Sequence, residues 1–209
     1  MVLSQSERSR ALGAALLAMD VEADAIARTR DEVRDSLPAA IELLSSATGR
    51  VLVSGLGKSG HIGAKMAATL ASTGTPAQFV HSAEALHGDS GMATAGDVAI
   101  LISYSGETTE VCHFARMLAD QGVPVIAMTR RRESTLARLA EVWLSIEVER
   151  EADPLSLAPT ASTASTLALG DALAAALMTI SGFTTEEFHR RHPGGSLGAQ
   201  LSTTPVERA

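Results

Sequence analysis

Val51 to Gly63, V-L-V-S-G-L-G-K-S-G-H-I-G, is the stretch that most limits what this chain can become. Val51, Leu52 and Val53 form a short apolar run closed by Gly55 and Gly57, which reads as a buried strand ending in a tight turn. Ile62, Met66, Ala67 and Leu70 then recur at helical spacing, so the turn opens a helix. A glycine loop between a strand and a helix presents free backbone N–H groups at the positive end of the helix dipole, and phosphate is its natural occupant.

Two known motifs overlap this loop. Gly55, Gly57 and Gly60 satisfy G-x-G-x-x-G, but a dinucleotide site expects an acid near the end of the next strand, and that region reads Gln78-Phe79-Val80-His81. Gly57-Lys58-Ser59 resembles the tail of a P-loop without the four-residue spacer between its glycines. A plain strand–helix turn accounts for the glycines and leaves Lys58 unexplained. Lys58 and Lys65 are two of seventeen basic residues, and the other fifteen are arginine. A chain that favours arginine so strongly, yet puts lysine in this loop, invites a chemical explanation.

At 209 residues the chain has the size of one domain with a substantial core. A net charge of -7 and 3% aromatic residues argue against a nucleic-acid surface. Cys112 stands alone in an apolar helical stretch, so no disulfide framework is possible and it reads as a buried hydrophobe. Met1 to Asp20 lacks a signal-type apolar core, and no run is read as approaching the ~20 apolar residues of a membrane span. These features predict a soluble, cytoplasmic protein without membrane or nucleic-acid partners.

Ser6–Arg30 and Asp31–Ala47, the second interrupted at Pro38, carry apolar residues at helical spacing and predict N-terminal helices outside the sheet. One of their apolar stripes needs a cover, and a partner subunit would provide it. Strands are predicted at Val51–Ser54, Ala77–Val80, Val98–Ile102, Pro124–Met128 and Val142–Val148. Helices are predicted between them at Gly60–Ser72, Glu107–Gln121 and Ser134–Ala140. This alternation implies a five-stranded parallel α/β sheet covered on both faces. Thr160–Ile180 reads as a helix apolar nearly all round, ended by Gly182, and Thr185–His192 as a short helix stopped by Pro193. The expected division is residues 1–49 as N-terminal helices, 50–201 as the α/β domain and 202–209 as a tail.

Ligands of open α/β sheets sit beyond the carboxyl ends of the strands. The loop after the third strand, Ser103-Tyr104-Ser105-Gly106-Glu107-Thr108-Thr109-Glu110, again has a glycine turn at a helix start. One hydroxyl suffices to cap that helix; four hydroxyls among six residues suggest a further hydrogen-bonding partner.

Five blocks carry a family resemblance: Ser54–Pro76, His81–Asp89, Ser103–Glu110, Glu149–Thr160 and Arg191–Gly198. Together they resemble the sugar-isomerase (SIS) domain of arabinose-5-phosphate isomerases, in order from about residue 10 to 200. The resemblance implies a single SIS domain interconverting D-ribulose 5-phosphate and D-arabinose 5-phosphate, without a cofactor, in a homotetramer. It implies catalytic positions at Lys58, Glu110, Glu151 and His192. Substrate contacts are implied at Ser59, Gly74, Thr75, His87, Ser103, Ser105 and Thr108, and a metal-associated histidine, not required for chemistry, at His81. Two departures stand out. Many members carry C-terminal CBS modules, whereas this sequence stops soon after Gly198, and Tyr104 stands where asparagine is usual.

Aldose–ketose isomerisation moves a proton between C1 and C2 through an enediol and another between the oxygens. It needs a carbon base, an oxygen acid/base and a cation near the developing oxyanion, roles that glutamate, histidine and lysine fill. Glu151 is the favoured carbon base and Glu110 the alternative; Lys58 holds phosphate or enediolate; His192 and His87 handle oxygen protons. Each has a plainer reading: Glu151 as one charge in an acidic run, His192 as a helix end, His87 as a structural histidine. Two rival functions are an isomerase of hexulose or heptulose phosphates and a sugar-phosphate sensor that binds without turnover.

Overall fold

The computed structural model describes residues 3–193. Five strands, β1 (Val51–Gly55), β2 (Ala77–His81), β3 (Val98–Ile102), β4 (Val125–Thr129) and β5 (Val142–Ser145), form one parallel sheet in the order β2-β1-β3-β4-β5. Residues alternate between two cores, as a pleat of period two requires. Val51, Val53, Val98, Ile100, Ile102 and Ile126 face one core; Leu52, Ala99, Leu101 and Ala127 face the other.

The first core is covered by α2 (Leu37–Ser45), α3 (Gly57–Ser72) and α7 (Ala161–Ser181). The second is covered by α4 (Ser82–Ala85), α5 (Thr109–Asp120) and α6 (Thr135–Arg138), with a 3-10 turn at Asp89–Met92 preceding β3. Helix α1 (Gln5–Glu32) packs along α7, and α8 (Thr185–Arg191) follows it in the chain. Cys112 is buried, as its surroundings predict, and burial pushes its thiol pKa up.

Several boundaries differ from the periodicity for identifiable reasons. Pro38 lies in the first turn of α2, where its missing N–H breaks no helical bond, so it starts that helix. Strand β5 stops at Ser145 because its neighbour β4 ends at Thr129, opposite it; the chain is extended beyond but has no ladder to join. The second helix loop keeps Glu107 and Thr108 outside α5, since Gly106 turns the chain with φ +69°.

Helix α7 also corrects one expectation: at 21 residues it is long and apolar enough to cross a membrane by length and composition. Here it packs between α1 and α3, and its Asp171 pairs with Lys65 of α3. Gly182 ends it in the left-handed region, φ 64°, and Thr184 and Glu187 form the capping box of α8.

Candidate functional site

In this strand order the chain leaves β1 and β3 in opposite directions, and the crevice between their carboxyl ends is where ligands of open α/β sheets bind. A cleft of about 380 Å³ lies there, lined by Lys58, Ser59, Ser103, Ser105 and Thr108 together with Tyr104 and Ser162. Leu56, Ile62, Ile102, Ile146 and Pro159 supply its apolar walls.

The glycine pattern at 55–60 serves close packing. A Cβ on Gly60 would lie 2.9 Å from the Gly55 carbonyl oxygen, so α3 crosses β1 at a distance only glycine permits. That approach sets the start of α3 against the strand end. Its N-cap, Leu56, has no side-chain hydrogen bond to give the first turn, and neither does Thr108, the N-cap of α5. The Thr108 hydroxyl instead pairs with Ser103 Oγ at 2.8 Å, while Ser103 Oγ accepts from Gly106 N at 3.1 Å and Ser105 Oγ from Glu107 N at 3.1 Å. Two helix N-termini without side-chain caps, rimmed by hydroxyls, therefore open on one cleft, a favourable setting for a phosphate. Lys58 is exposed at its edge and has no hydrogen bond or ion pair among the described residues, whereas Lys65 is engaged by Asp171.

A third helix reaches the cleft through Ser162, Thr163 and Thr166 of α7. Its N-terminus is sealed by Glu151 from the chain leading out of β5. Glu151 Oε2 accepts from Thr160 N at 2.8 Å, Thr160 Oγ1 at 3.2 Å and Ser162 N at 3.2 Å. Oε1 accepts from the Ser162 hydroxyl alone. Glu151 is thus a helix cap, not a loosely solvated charge, and its less occupied oxygen is bonded to a hydroxyl that lines the cleft. The hydroxyls of α7 were missed in the sequence, although Thr160, Ser162, Thr163, Ser165 and Thr166 crowd seven positions, the same signal that marked 103–109.

Tyr104 walls the cleft and is the hub of the β3 loop. Its carbonyl accepts from Arg130 N at 3.0 Å, and the Arg130 guanidinium lies 5.5 Å from its ring centroid. Burial raises the pKa of its hydroxyl; the neighbouring Val148 backbone opposes this, and the nearby Glu151 charge adds to it.

The remaining candidates lie outside this cleft. Glu110 is half-buried in the first turn of α5 and has no hydrogen bond or ion pair among the described residues. His81 ends β2, with its ring edge-on to Phe79 at 6.5 Å, and both it and His87 are exposed. No three His, Cys, Asp or Glu side chains converge to hold a metal among the described residues, so His81 belongs to no such group within them. Gly74 and Thr75 precede β2, at the amino end of the sheet, and Gly74 packs on Phe183. His192 is beside them: it stacks on Phe188 at 4.0 Å, and neighbouring Arg191 donates to the Ala71 carbonyl at 3.2 Å. The length of α7, about 30 Å at 1.5 Å per residue, separates this cluster from Ser162.

A family model for the SIS domain matches residues 43–176. Arabinose 5-phosphate isomerase KdsD of Salmonella typhi is 50% identical over 183 residues, 88% of this chain and 56% of the relative. The enzyme of the same name from Pseudomonas aeruginosa is 52% identical over 181 residues, 87% of this chain and 56% of the relative. The chain thus spans about half the length of the curated relatives it matches. Among solved structures, an Escherichia coli CFT073 protein in complex with arabinose 5-phosphate superimposes with a TM-score of 0.85 and 40% identity, covering 91% of this chain and all of that one.

Proposed function

The chain belongs to the SIS domain family, and on that premise we propose that it interconverts D-ribulose 5-phosphate and D-arabinose 5-phosphate through an enediol. The observation that carries this reading is the convergence of Lys58, Ser59, Ser103, Ser105 and Thr108 at one cleft with Ser162, whose hydroxyl is bonded to Glu151. Hydroxyls and helix N–H groups at one side suit a phosphate; a carboxylate at the other suits a carbon acid.

In this mechanism the phosphate is held by the 57–59 and 103–108 loops. Glu151 Oε1, the oxygen bonded only to Ser162, takes the proton from C1 or C2 and returns it to the other carbon. Lys58 offsets the negative charge that develops on the enediolate oxygen. Glu110 is the alternative base. No step uses a metal, and the protein's own side chains supply all the acid–base chemistry.

His192, Gly74 and Thr75 enter the site from another copy of the chain in a homotetramer. Two observations support that assembly: their position at the far end of α7, and the exposed apolar residues Leu12, Leu16, Leu17 and Met19 along α1. The pattern of charge and the lone buried cysteine support a cytoplasmic enzyme. Residues 1–49 would serve assembly and 50–201 catalysis; the proposed 202–209 tail lies outside the described residues.

The test is to incubate the purified protein with D-ribulose 5-phosphate and identify the product by NMR. D-arabinose 5-phosphate is expected. Turnover confined to a hexulose or heptulose phosphate would change the substrate, and binding without hydrogen exchange at C1 and C2 would replace the enzyme with a sensor.

A further inference from the structure

Glu151 sits on an irregular stretch: β5 ends at Ser145, α7 begins at Ala161, and the chain between them is extended or turning. What fixes the residue within this stretch is a set of hydrogen bonds around Ser156. The Ser156 hydroxyl accepts from Glu151 N at 3.1 Å and donates to the Glu151 carbonyl at 3.4 Å. One side chain thus grips both main-chain polar groups of that residue. Asp153 builds the turn that presents it. Its carbonyl accepts from Ser156 N at 2.9 Å, its Oδ1 from Leu155 N at 2.9 Å, and its Oδ2 from Leu157 N and Ala158 N, each at 2.8 Å. Among the described residues Ser156 is also the one non-glycine with positive φ, 55°. Glycine would adopt that backbone without strain but has no hydroxyl to offer. Strained residues of this kind persist where their neighbours hold them, and they gather at functional sites.

We propose that Ser156 is a positioning residue for Glu151: by clamping the Glu151 main chain it keeps the carboxylate on the N-terminus of α7, with Oε1 at the Ser162 hydroxyl. The inference rests on the isomerase reading for its catalytic consequence. Its structural consequence, the placement of the carboxylate, does not depend on turnover. The carboxylate meets Thr160 N, Ser162 N and the Ser162 hydroxyl together, which restricts the glutamate Cα to a narrow range of positions. Ser156 acts on that Cα through the peptide groups on either side of it and leaves the carboxylate oxygens to the helix and the substrate. Its loss therefore lowers the rate and spares phosphate affinity, which belongs to the 57–59 and 103–108 loops. Misplacement of a reacting group by about 1 Å is enough to slow a reaction about a hundredfold.

The experiment compares the full chain with Ser156→Gly, which removes the hydroxyl and relieves the positive φ, and with Ser156→Ala, which removes the hydroxyl alone. In both, kcat with D-ribulose 5-phosphate should fall about tenfold and KM should change less than about twofold. The Ser162 amide reports the carboxylate directly, because an N–H in the first turn of a helix has no helical partner. Its hydrogen exchange, followed by NMR, should quicken at least about tenfold in both variants, with that of Glu151, while amides of β1 and β3 keep their rates. A double-substitution cycle supplies a readout that general loosening of the fold would not move. Added to Glu151→Gln, Ser156→Gly should leave the residual hydrogen exchange at C1 and C2 within about twofold. A tenfold loss in that background overturns the proposal, as does unchanged kcat or unchanged Ser162 protection in the single variants. An effect confined to one of the two variants would trace to the backbone rather than the hydroxyl and overturns it too. So does faster amide exchange across the sheet in Ser156→Gly, which would make the role structural. Full C1 and C2 exchange in Glu151→Gln overturns the proposal and leaves the isomerase reading intact. Absence of turnover by the unsubstituted protein would refute the isomerase reading alone, and Ser162 exchange would still decide the placement.

Discussion

Glu151 and Ser162 are joined twice: the Ser162 hydroxyl donates to one carboxylate oxygen and its backbone N–H, at 3.2 Å, to the other. The same carboxylate therefore caps α7 and is bonded to a hydroxyl that lines the cleft.

Glu151→Gln tests this double use. One carboxylate oxygen becomes an NH2 facing donors, so the cap is weakened by about 1 kcal/mol. Removing the base should slow hydrogen exchange at C1 and C2 by at least ~10²-fold, followed by NMR in deuterated solvent. Calorimetric binding of ribulose 5-phosphate should survive. Full exchange in this variant would move the base to Glu110.

Lys58→Ala should harm both binding and turnover, because a cation with no ion-pair partner among the described residues is free to meet phosphate or enediolate. We expect kcat/KM to fall by about 10² or more, shared between KM and kcat. Steady-state kinetics would check it. A change confined to kcat would remove Lys58 from phosphate binding.

Gly106→Ala should damage the second loop without touching any candidate polar group. The residue has φ +69°, and an added Cβ would run into the Ser134 side chain. Strain and overpacking together should cost about 2 kcal/mol, read by denaturant unfolding, with weaker phosphate binding by calorimetry. An unaltered midpoint would mean the loop is less constrained than its contacts indicate.

Leu16→Glu addresses assembly, since Leu16 is 54% exposed on α1. A charge in a subunit contact should reduce the mass measured by light scattering while leaving circular dichroism unchanged. If the unsubstituted protein is already a monomer at micromolar concentration, the tetramer is wrong.

Acidification should loosen α8 once the Glu187 carboxylate is protonated. The backbone N–H of Thr184 bonded to the Glu187 carboxylate holds its pKa below the ordinary 4.5, with the Thr184 hydroxyl adding to the effect. A depressed folded-state pKa stabilises the capped helix above 4.5 and loses that contribution as pH falls through the lower value. NMR signals of Phe188 and His192 should lose their stacked shifts in that window, and Glu187→Gln should lose them with much weaker pH dependence.

Much of the architecture was legible in residue order alone. Buried parallel strands must be apolar on both sides, so Val98–Ile102 and its counterparts stood out, and Gly106 and Gly182 marked turns whose positive φ favours glycine. The two hydroxyl loops could be assigned to one cleft because parallel strands carry their following loops to the same end of the sheet. Glu151 looked like one charge among several, because nothing local distinguishes a carboxylate that will cap a helix nine residues on from one left in water. Likewise, His192 and Gly74 were grouped with Lys58 by resemblance, whereas the length of α7 holds them at the opposite end of the fold. Local periodicity is set by neighbours along the chain. Which distant side chains share a cleft is settled only when helices of particular length pack on the sheet.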